Sequence, residues 1–210
     1  MITVHHLNNS RSQRILWLLE ELQVPYVIKA YTRDLVTNLA PPELKAIHPL
    51  GKSPVIEDDG RVVTESGAIT DYIIRWHGNG RMAPTPGTDA HETYLEWLHF
   101  AEGSAMTPFL LALYTARLGE AGAPLQPRIQ EQIGAHVAYF SAALGSHDWL
   151  VENTLSGADV MMSFIAEIGC AQGLGAHFPN MPAYVKRLQS RPAWQAAMAK
   201  TEPYNFTAKS

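Results

Sequence analysis

Three short stretches carry residue types able to do chemistry. The first is "NNSRSQR", residues 8–14, a polar run between an apolar start, Ile2–Leu7, and an apolar run, Ile15–Leu19. A hydroxyl at Ser10, where strand passes into helix, lies near backbone amides and a positive helix end. It can hydrogen-bond a thiolate and stabilise it without ionising itself. The same turn can instead only cap the helix through Ser10 or Ser12, which leaves Arg14 on the surface of the first turn. The second stretch is "GKSPV", residues 51–55. Proline directly before a strand cannot donate a ladder hydrogen bond and belongs at a strand start or edge. X-Pro is also the one place where a cis peptide costs little. A cis Ser53–Pro54 bond would turn the N–H and C=O of Ser53 sideways as an edge for a peptide-like ligand; a trans bond would make an ordinary turn. The third is "TESGAI", residues 64–69. Ser66 at a helix start offers free N–H groups and a positive dipole end that suit a carboxylate. Glu65, just outside, suits an ammonium. The pair fits an α-amino-acid group, or is a capped helix with a solvent-facing Glu.

The elements that must position these residues follow from periodicity and turn signals. Residues 1–77 mix strand and helix: a strand over Ile2–Leu7, a helix over Ser12–Leu22 and a strand over Tyr26–Tyr31 introduced by Pro25. A short Pro-opened helix over 42–47 precedes the loop 48–54. The hairpin 55–64 turns on Asp59-Gly60, and a helix over 66–76 closes a βαβ, α, ββα order. "GNGRMAPTPG", residues 78–87, reads as a linker. From residue 88 to 210 the pattern is helical: 90–118, bent or interrupted at Gly103 and Pro108, then 126–144, 156–170, 181–190 and 193–200. The expected architecture is an α/β domain followed by an all-α bundle.

Composition narrows the function. With 210 residues, 46% hydrophobic and 17% charged, the chain has the make-up of a soluble globular protein. A net charge of −4 leaves no basic footprint for nucleic acid. No apolar run nears the roughly 20 residues that span a bilayer, and the N-terminus does not read as a signal peptide. A single cysteine, Cys170, excludes an intramolecular disulfide framework and fits a reducing compartment, so the cytoplasm is expected. Cys170, in an apolar helix, reads as an inert core thiol. No metal is expected from the nine histidines. His5 and His6 point to opposite faces of a strand, and "HETYL", 91–95, has Leu95 where a zinc helix needs its second His. "GLG", 173–175, lacks the strand and frame of a dinucleotide fingerprint. Trp97, Tyr139, Phe140 and Phe164 fall on helical patterns and read as core.

Taken in order, these stretches resemble the cytosolic glutathione transferase family, in particular its bacterial serine-type, theta-like members. The resemblance rests on Ser10 with Arg14 after strand one, on Gly51, Lys52 and Pro54, and on Glu65-Ser66. It rests also on "SGAD", 156–159, a Ser/Thr-x-x-Asp capping box in which Ser156 and Asp159 accept from each other's amides. It implies a thioredoxin-like N-terminal domain and an all-α C-terminal domain covering nearly the whole chain. It also implies that Ser10 stabilises the glutathione thiolate. Ser53, beside Pro54, would pair with the cysteinyl unit, and Glu65 and Ser66 would hold the γ-glutamyl end. Lys52, with His48 or Arg11, would meet the glycyl carboxylate. No Tyr lies near the end of strand one and no Cys near residue 10, so the tyrosine- and cysteine-type classes do not fit. The Ser-Ser-x-Cys-like turn of the maleylacetoacetate isomerases is also missing. Asn9 leaves open an amide contact to the sulfur. The implied electrophile site involves Ala105, Met106, Phe109 and Tyr114, with Tyr204-Asn205-Phe206 as a lid. The implied function is glutathione transfer to a small hydrophobic electrophile, with glutathione as cosubstrate and no cofactor. The alternatives are a glutathione-dependent disulfide or peroxide reductase, or a non-catalytic interaction module on the same fold. Family members usually form homodimers, which would bring Glu102 of the neighbour toward the glutathione site.

Overall fold

The computed structural model describes residues 1–202 and Phe206. β1 (Ile2–Leu7) is buried along almost its whole length, because it is an inner strand of a four-stranded sheet ordered β2-β1-β3-β4. It runs parallel to β2 (Tyr26–Tyr31), with Ile2 opposite Tyr26 and Leu7 opposite Tyr31. It runs antiparallel to β3 (Val55–Asp58), with His5 opposite Val55. β4 (Arg61–Thr64) pairs antiparallel with β3, Val55 facing Thr64. The hairpin turns on Asp59 and Gly60, whose φ angles of 47° and 81° are the positive values that a tight primed turn demands.

The parallel crossover from β1 to β2 runs through α1 (Ser12–Leu22), and every residue from Ser12 to Leu19 is buried. An ordinary surface helix would bury one stripe. This one packs on β1 and α3 (Ser66–His77) and also on α7 (Gly157–Ala171) and α9 (Pro192–Met198) of the helical half. Arg14, which a capping-only role of the turn would leave on the surface, is therefore wholly buried. α7 is buried from Gly157 to Gly169, and one continuous apolar core joins Ile2, Val4 and Trp17 to Met161, Phe140 and Tyr184.

α2 (Glu43–Ile47) lies between β2 and β3, and residues 78–88 contain neither helix nor strand. The helical half adds α4 (Asp89–Phe100), α5 (Met106–Ala116), α6 (Gln126–Leu144) and α8 (Asn180–Gln189). The interruption expected near Gly103 and Pro108 is a π turn over Ala101–Ala105, in which the Met106 N–H reaches back five residues to the Ala101 carbonyl. Pro108 supplies no N–H and its ring would strike the carbonyl four residues back. Widening the preceding turn removes that conflict, and such turns concentrate at functional sites. α7 begins with the expected capping box: the Ser156 N–H donates to Asp159 at 2.9 Å, and the Ser156 hydroxyl accepts from the helix start.

Two core expectations need correction. Trp97, Phe140 and Phe164 are buried, but Tyr139 is 46% exposed, stacked on Trp97 with its hydroxyl donating to Glu96. Cys170 is only partly buried; its thiol pKa is raised, by burial first and then by Glu167. No described helix is long and apolar enough to cross a membrane.

Candidate functional site

Strand register brings the three sequence stretches to one end of the sheet. His5 faces Val55 and Val55 faces Thr64, so the turn after β1, the loop before β3 and the residues after β4 all emerge there. β2 ends at the same edge, since it runs parallel to β1.

From the end of β2 comes a residue that sequence reasoning missed. Arg33 donates its backbone N–H to Asn8 Oδ1 at 2.8 Å and its Nε to the Asn8 carbonyl at 3.0 Å. Its guanidinium also reaches the carbonyls of Asn9 at 3.2 Å and Asn38 at 3.1 Å. Asn9 adopts φ 47°, a left-handed conformation that Asn tolerates better than most residues. Arg33 therefore ties down the turn that carries Ser10. Its pKa is lowered, by burial first and then by the nearby Arg11 cation, while Tyr114 opposes the shift.

Ser10 is 5% exposed and belongs to a chain of side-chain hydrogen bonds. Ser10 Oγ accepts from the Ser12 N–H at 3.2 Å and lies 2.7 Å from Ser12 Oγ. Ser12 Oγ is 2.8 Å from His6 Nδ1. On its other side Ser10 Oγ is 3.4 Å from Ser53 Oγ. Ser10 is not the N-cap of α1; that position is Arg11, whose side chain makes no capping bond, although Ser10 Oγ satisfies the Ser12 N–H at the helix start. His6 is buried and its pKa is pushed down to about 4 by loss of solvation, so its ring is neutral at physiological pH. His5, on the opposite face, meets Tyr31 instead, Nδ1 to hydroxyl at 2.8 Å.

Arg11 and Arg14 converge on one carboxylate. Arg14 pairs with Glu102 on the π turn, donates to the Met161 carbonyl at 2.7 Å, and places its guanidinium 5.7 Å from the Phe164 ring centre. Arg11 Nε lies 3.0 Å from the other oxygen of Glu102. Within one chain, then, Arg11 engages Glu102, and Glu102 approaches the turn that carries Ser10. The cause is the closeness of α1 and the π turn across the interface between the two halves.

In the loop before β3, Gly51 is buried with φ 56°, and a Cβ there would come within 2.8 Å of Lys45 Cγ. The Ser53–Pro54 bond is cis. Beyond the His5–Val55 pair, the Ser53 side chain takes over from the ladder: Oγ donates to the His5 carbonyl at 2.8 Å and accepts from the Leu7 N–H at 3.2 Å. The main-chain N–H and C=O of Ser53 have no partner among the described residues. Lys52 is exposed and equally unpaired among them, while the His48 carbonyl accepts from the Gly51 N–H at 2.8 Å. Glu65 is exposed at φ 67°, a left-handed conformation rare for Glu, of the kind that clusters at ligand sites. Ser66, 5% exposed, opens α3, whose first turn has no side-chain cap. Its amides remain available to an anion.

The residues expected to face an electrophile divide. Ala105, Met106 and Phe109 are at most 5% exposed and belong to the core, whereas Tyr114 is 55% exposed. Of the expected lid, Tyr204 and Asn205 lie outside the described residues. Phe206 meets Phe164 edge to face at 5.0 Å. A groove of about 760 Å³ runs along α7, α8 and α9 past Cys170 and Trp194 and includes none of the hydroxyls above. Among the described residues no cluster of His, Cys, Asp or Glu is arranged to hold a metal.

Comparison with known proteins adds independent findings. Residues 1–75 match the model of the glutathione S-transferase N-terminal domain, and residues 100–192 match that of the C-terminal domain. Glutathione S-transferase 3 of Schizosaccharomyces pombe is 32% identical, over 99% of this chain and 90% of that protein. The crystal structure of a glutathione S-transferase from Actinobacillus pleuropneumoniae superposes with a TM-score of 0.87 at 34% identity, covering 96% of this chain and 93% of that one. A sphingomonad glutathione S-transferase complexed with glutathione shares the fold, with a TM-score of 0.79 at 22% identity over 94% of this chain and 98% of its own.

Proposed function

This chain belongs to the glutathione S-transferase family, and we propose that it uses the common end of its sheet to hold glutathione and present the sulfur to a small hydrophobic electrophile. The activity is that of a glutathione S-transferase, with glutathione as cosubstrate. The observation that carries the site assignment is that three unsatisfied features emerge at the sheet end that carries the Ser10 hydroxyl: the Ser53 main chain, the uncapped start of α3 and Lys52, unpaired among the described residues. Ser10 serves as the serine-type donor to the sulfur. Ser53, next to Pro54, pairs its main chain with the cysteinyl unit. Ser66 and the α3 amides take the γ-glutamyl carboxylate, and Glu65 takes the ammonium. Lys52 meets the glycyl carboxylate as a point charge. Tyr114 faces the electrophile, over a floor formed by Ala105, Met106 and Phe109.

The chemistry asks one thing of the protein. Thiolate, not thiol, attacks, so the bound sulfur must ionise near neutral pH. A hydrogen bond to a charged group is worth roughly 1.5–3 kcal/mol, or about 10–150-fold in rate if expressed fully in the transition state. Ser10→Ala is expected to raise the bound thiol pKa and slow turnover of a chloronitrobenzene by that factor, with glutathione affinity little changed. Glu65→Ala is expected to do the reverse, weakening affinity far more than it slows the saturated enzyme. Overlaid pH–rate profiles for wild type and Ser10→Ala would move the role to Asn9 or a backbone amide. Thiol–disulfide chemistry by the enzyme itself is less well supported, because the chain's single cysteine, Cys170, lies on α7 rather than at the turn.

The assembly we propose is a homodimer with α4 and α5 along the two-fold axis. Exposed Leu111 and Leu113 on α5 and exposed Trp76 on α3 supply apolar surface for it. A sedimentation mass equal to one chain would overturn this. The proposed limits are a glutathione-binding domain over 1–77, a linker over 78–87 and an all-α domain over 88–210. The proposed location is the cytoplasm.

A further inference from the structure

The Ser10 hydroxyl has one proton, and whether that proton can reach a sulfur depends on how the groups behind it share theirs. Ser12 Oγ sits between His6 Nδ1 at 2.8 Å and Ser10 Oγ at 2.7 Å, and again has one proton to give. Two arrangements satisfy these distances. If His6 Nδ1 is bare, Ser12 must donate to it, and Ser10 must then donate to Ser12. The Ser10 proton is consumed behind the turn, and Ser10 offers a ligand only lone pairs. If His6 Nδ1 carries the proton, it donates to Ser12, and Ser12 is free to donate onward to Ser10 at 2.7 Å, a shorter contact than its alternative acceptor, the Leu7 carbonyl at 3.4 Å. Ser10 Oγ then accepts twice, from the Ser12 hydroxyl and from the Ser12 N–H at 3.2 Å. Its own proton points forward, where its only acceptor among the described residues is Ser53 Oγ at a weak 3.4 Å. That acceptor is already engaged with the His5 carbonyl and the Leu7 N–H.

We propose that His6 and Ser12 are positioning residues for the transfer reaction: His6, as its Nδ1–H tautomer, turns the Ser12 proton onto Ser10 and so directs the Ser10 proton at the glutathione sulfur. This rests on the reading of Ser10 as thiolate donor. Hydrogen bonds in such a chain polarise one another, so an oxygen that already accepts two becomes a stronger donor. His6 Nε2 has no hydrogen-bond partner among the described residues, so no protein donor there opposes the Nδ1–H form. His6 is not a base that takes the thiol proton through the relay. Burial holds its pKa near 4, and the imidazolium that this would require is disfavoured. The opposite arrangement has a distinct use, since a Ser10 lone pair can accept from a neutral thiol. Only the Nδ1–H arrangement favours the ionised sulfur.

The test is the pH dependence of turnover at saturating glutathione, with thermal midpoints recorded for every variant. Ser12→Ala and His6→Leu are each expected to raise the apparent thiol pKa and to slow the neutral-pH rate by roughly three- to tenfold, the scale of one neutral hydrogen bond. His6→Asn, whose amide N–H can occupy the place of Nδ1–H, is expected to recover most of that loss. In a Ser10→Ala background, Ser12→Ala should produce no further shift, because it acts only through Ser10. The inference is overturned if the Ser12→Ala effect persists undiminished without Ser10, or if His6→Asn is as slow as His6→Leu. It is also overturned if Ser10→Ala shifts the profile while Ser12→Ala does not. A Ser10→Ala profile that overlays wild type removes the thiolate-donor reading itself, and this inference with it.

Discussion

At the head of α7, the Asp159 carboxylate accepts from the Ser156 N–H at 2.9 Å, the Leu150 N–H at 3.1 Å and the Tyr184 hydroxyl at 3.1 Å, with the Ser156 hydroxyl 3.2 Å away. At the head of α1, His6, Ser12 and Ser10 form a chain of similar size whose last hydroxyl has only a 3.4 Å neighbour in front of it. Both networks are buried, and both sit where a helix begins. The first is closed: every donor ends on the carboxylate, and the result is a fixed helix start. The second is open at one end, toward the turn that Arg33 holds. A closed polar network serves stability, and an open one keeps bonding capacity for a ligand.

The largest expected effect comes from breaking the closed network. Asp159→Ala leaves the Ser156 and Leu150 amides without their acceptor and the Tyr184 hydroxyl with only the main-chain carbonyl of residue 159, at 3.3 Å. It should cost about 3–5 kcal/mol of stability, measured by denaturant titration, with the specific activity of the protein that remains folded little changed. Ser10→Ala should give the mirror image. It removes one end of an open chain, so stability should fall by no more than about 1 kcal/mol while the rate falls as described above. A Ser10→Ala protein that unfolds as readily as Asp159→Ala would erase the distinction.

The third effect is one of pH. Burial raises the Asp159 pKa to about 6, above its unfolded value, so its contribution to stability is full below about pH 4 and is lost as pH rises through 6. Burial lowers His6 to about 4, below its unfolded value, so its contribution is full above about pH 6.5 and is lost as pH falls through 4. The two slopes oppose each other between pH 4 and 6. Relative to wild type, Asp159→Asn should make stability rise more steeply with pH in that window, and His6→Asn should make it fall more steeply. Denaturation midpoints across the window read the difference directly; equal slopes in all three proteins would mean that neither group titrates as its burial requires.

Much of the closed network was legible in advance, since Ser156 and Asp159 stand three residues apart and a capping box is a local pattern. The hairpin turn at Asp59-Gly60 and the βαβ, α, ββα order were legible for the same reason. Around the open network, Ser10 and Ser53, and Ser66 elsewhere at the same sheet end, were legible as candidates from their flanking residues. Their assembly was not. Arg33 reaches Asn8 from 25 positions away, and Arg14 meets Glu102 across 88. Neither distance leaves a periodic trace in the chain.

The sequence by itself determined the elements, their order and the residue types at each turn, because helix spacing, strand alternation, Gly and Pro punctuation and capping act over a few residues. Tertiary structure alone decided that α1 is covered on several sides at once, which buries Arg14 and Ser12 and strips solvent from His6. It also decided that the register His5–Val55–Thr64 gathers Ser10, Ser53 and Glu65 at one sheet end. Burial and proximity depend on what other segments supply. A hydroxyl at Ser12 is an unremarked helix residue until the fold sets a histidine on one side of it and Ser10 on the other.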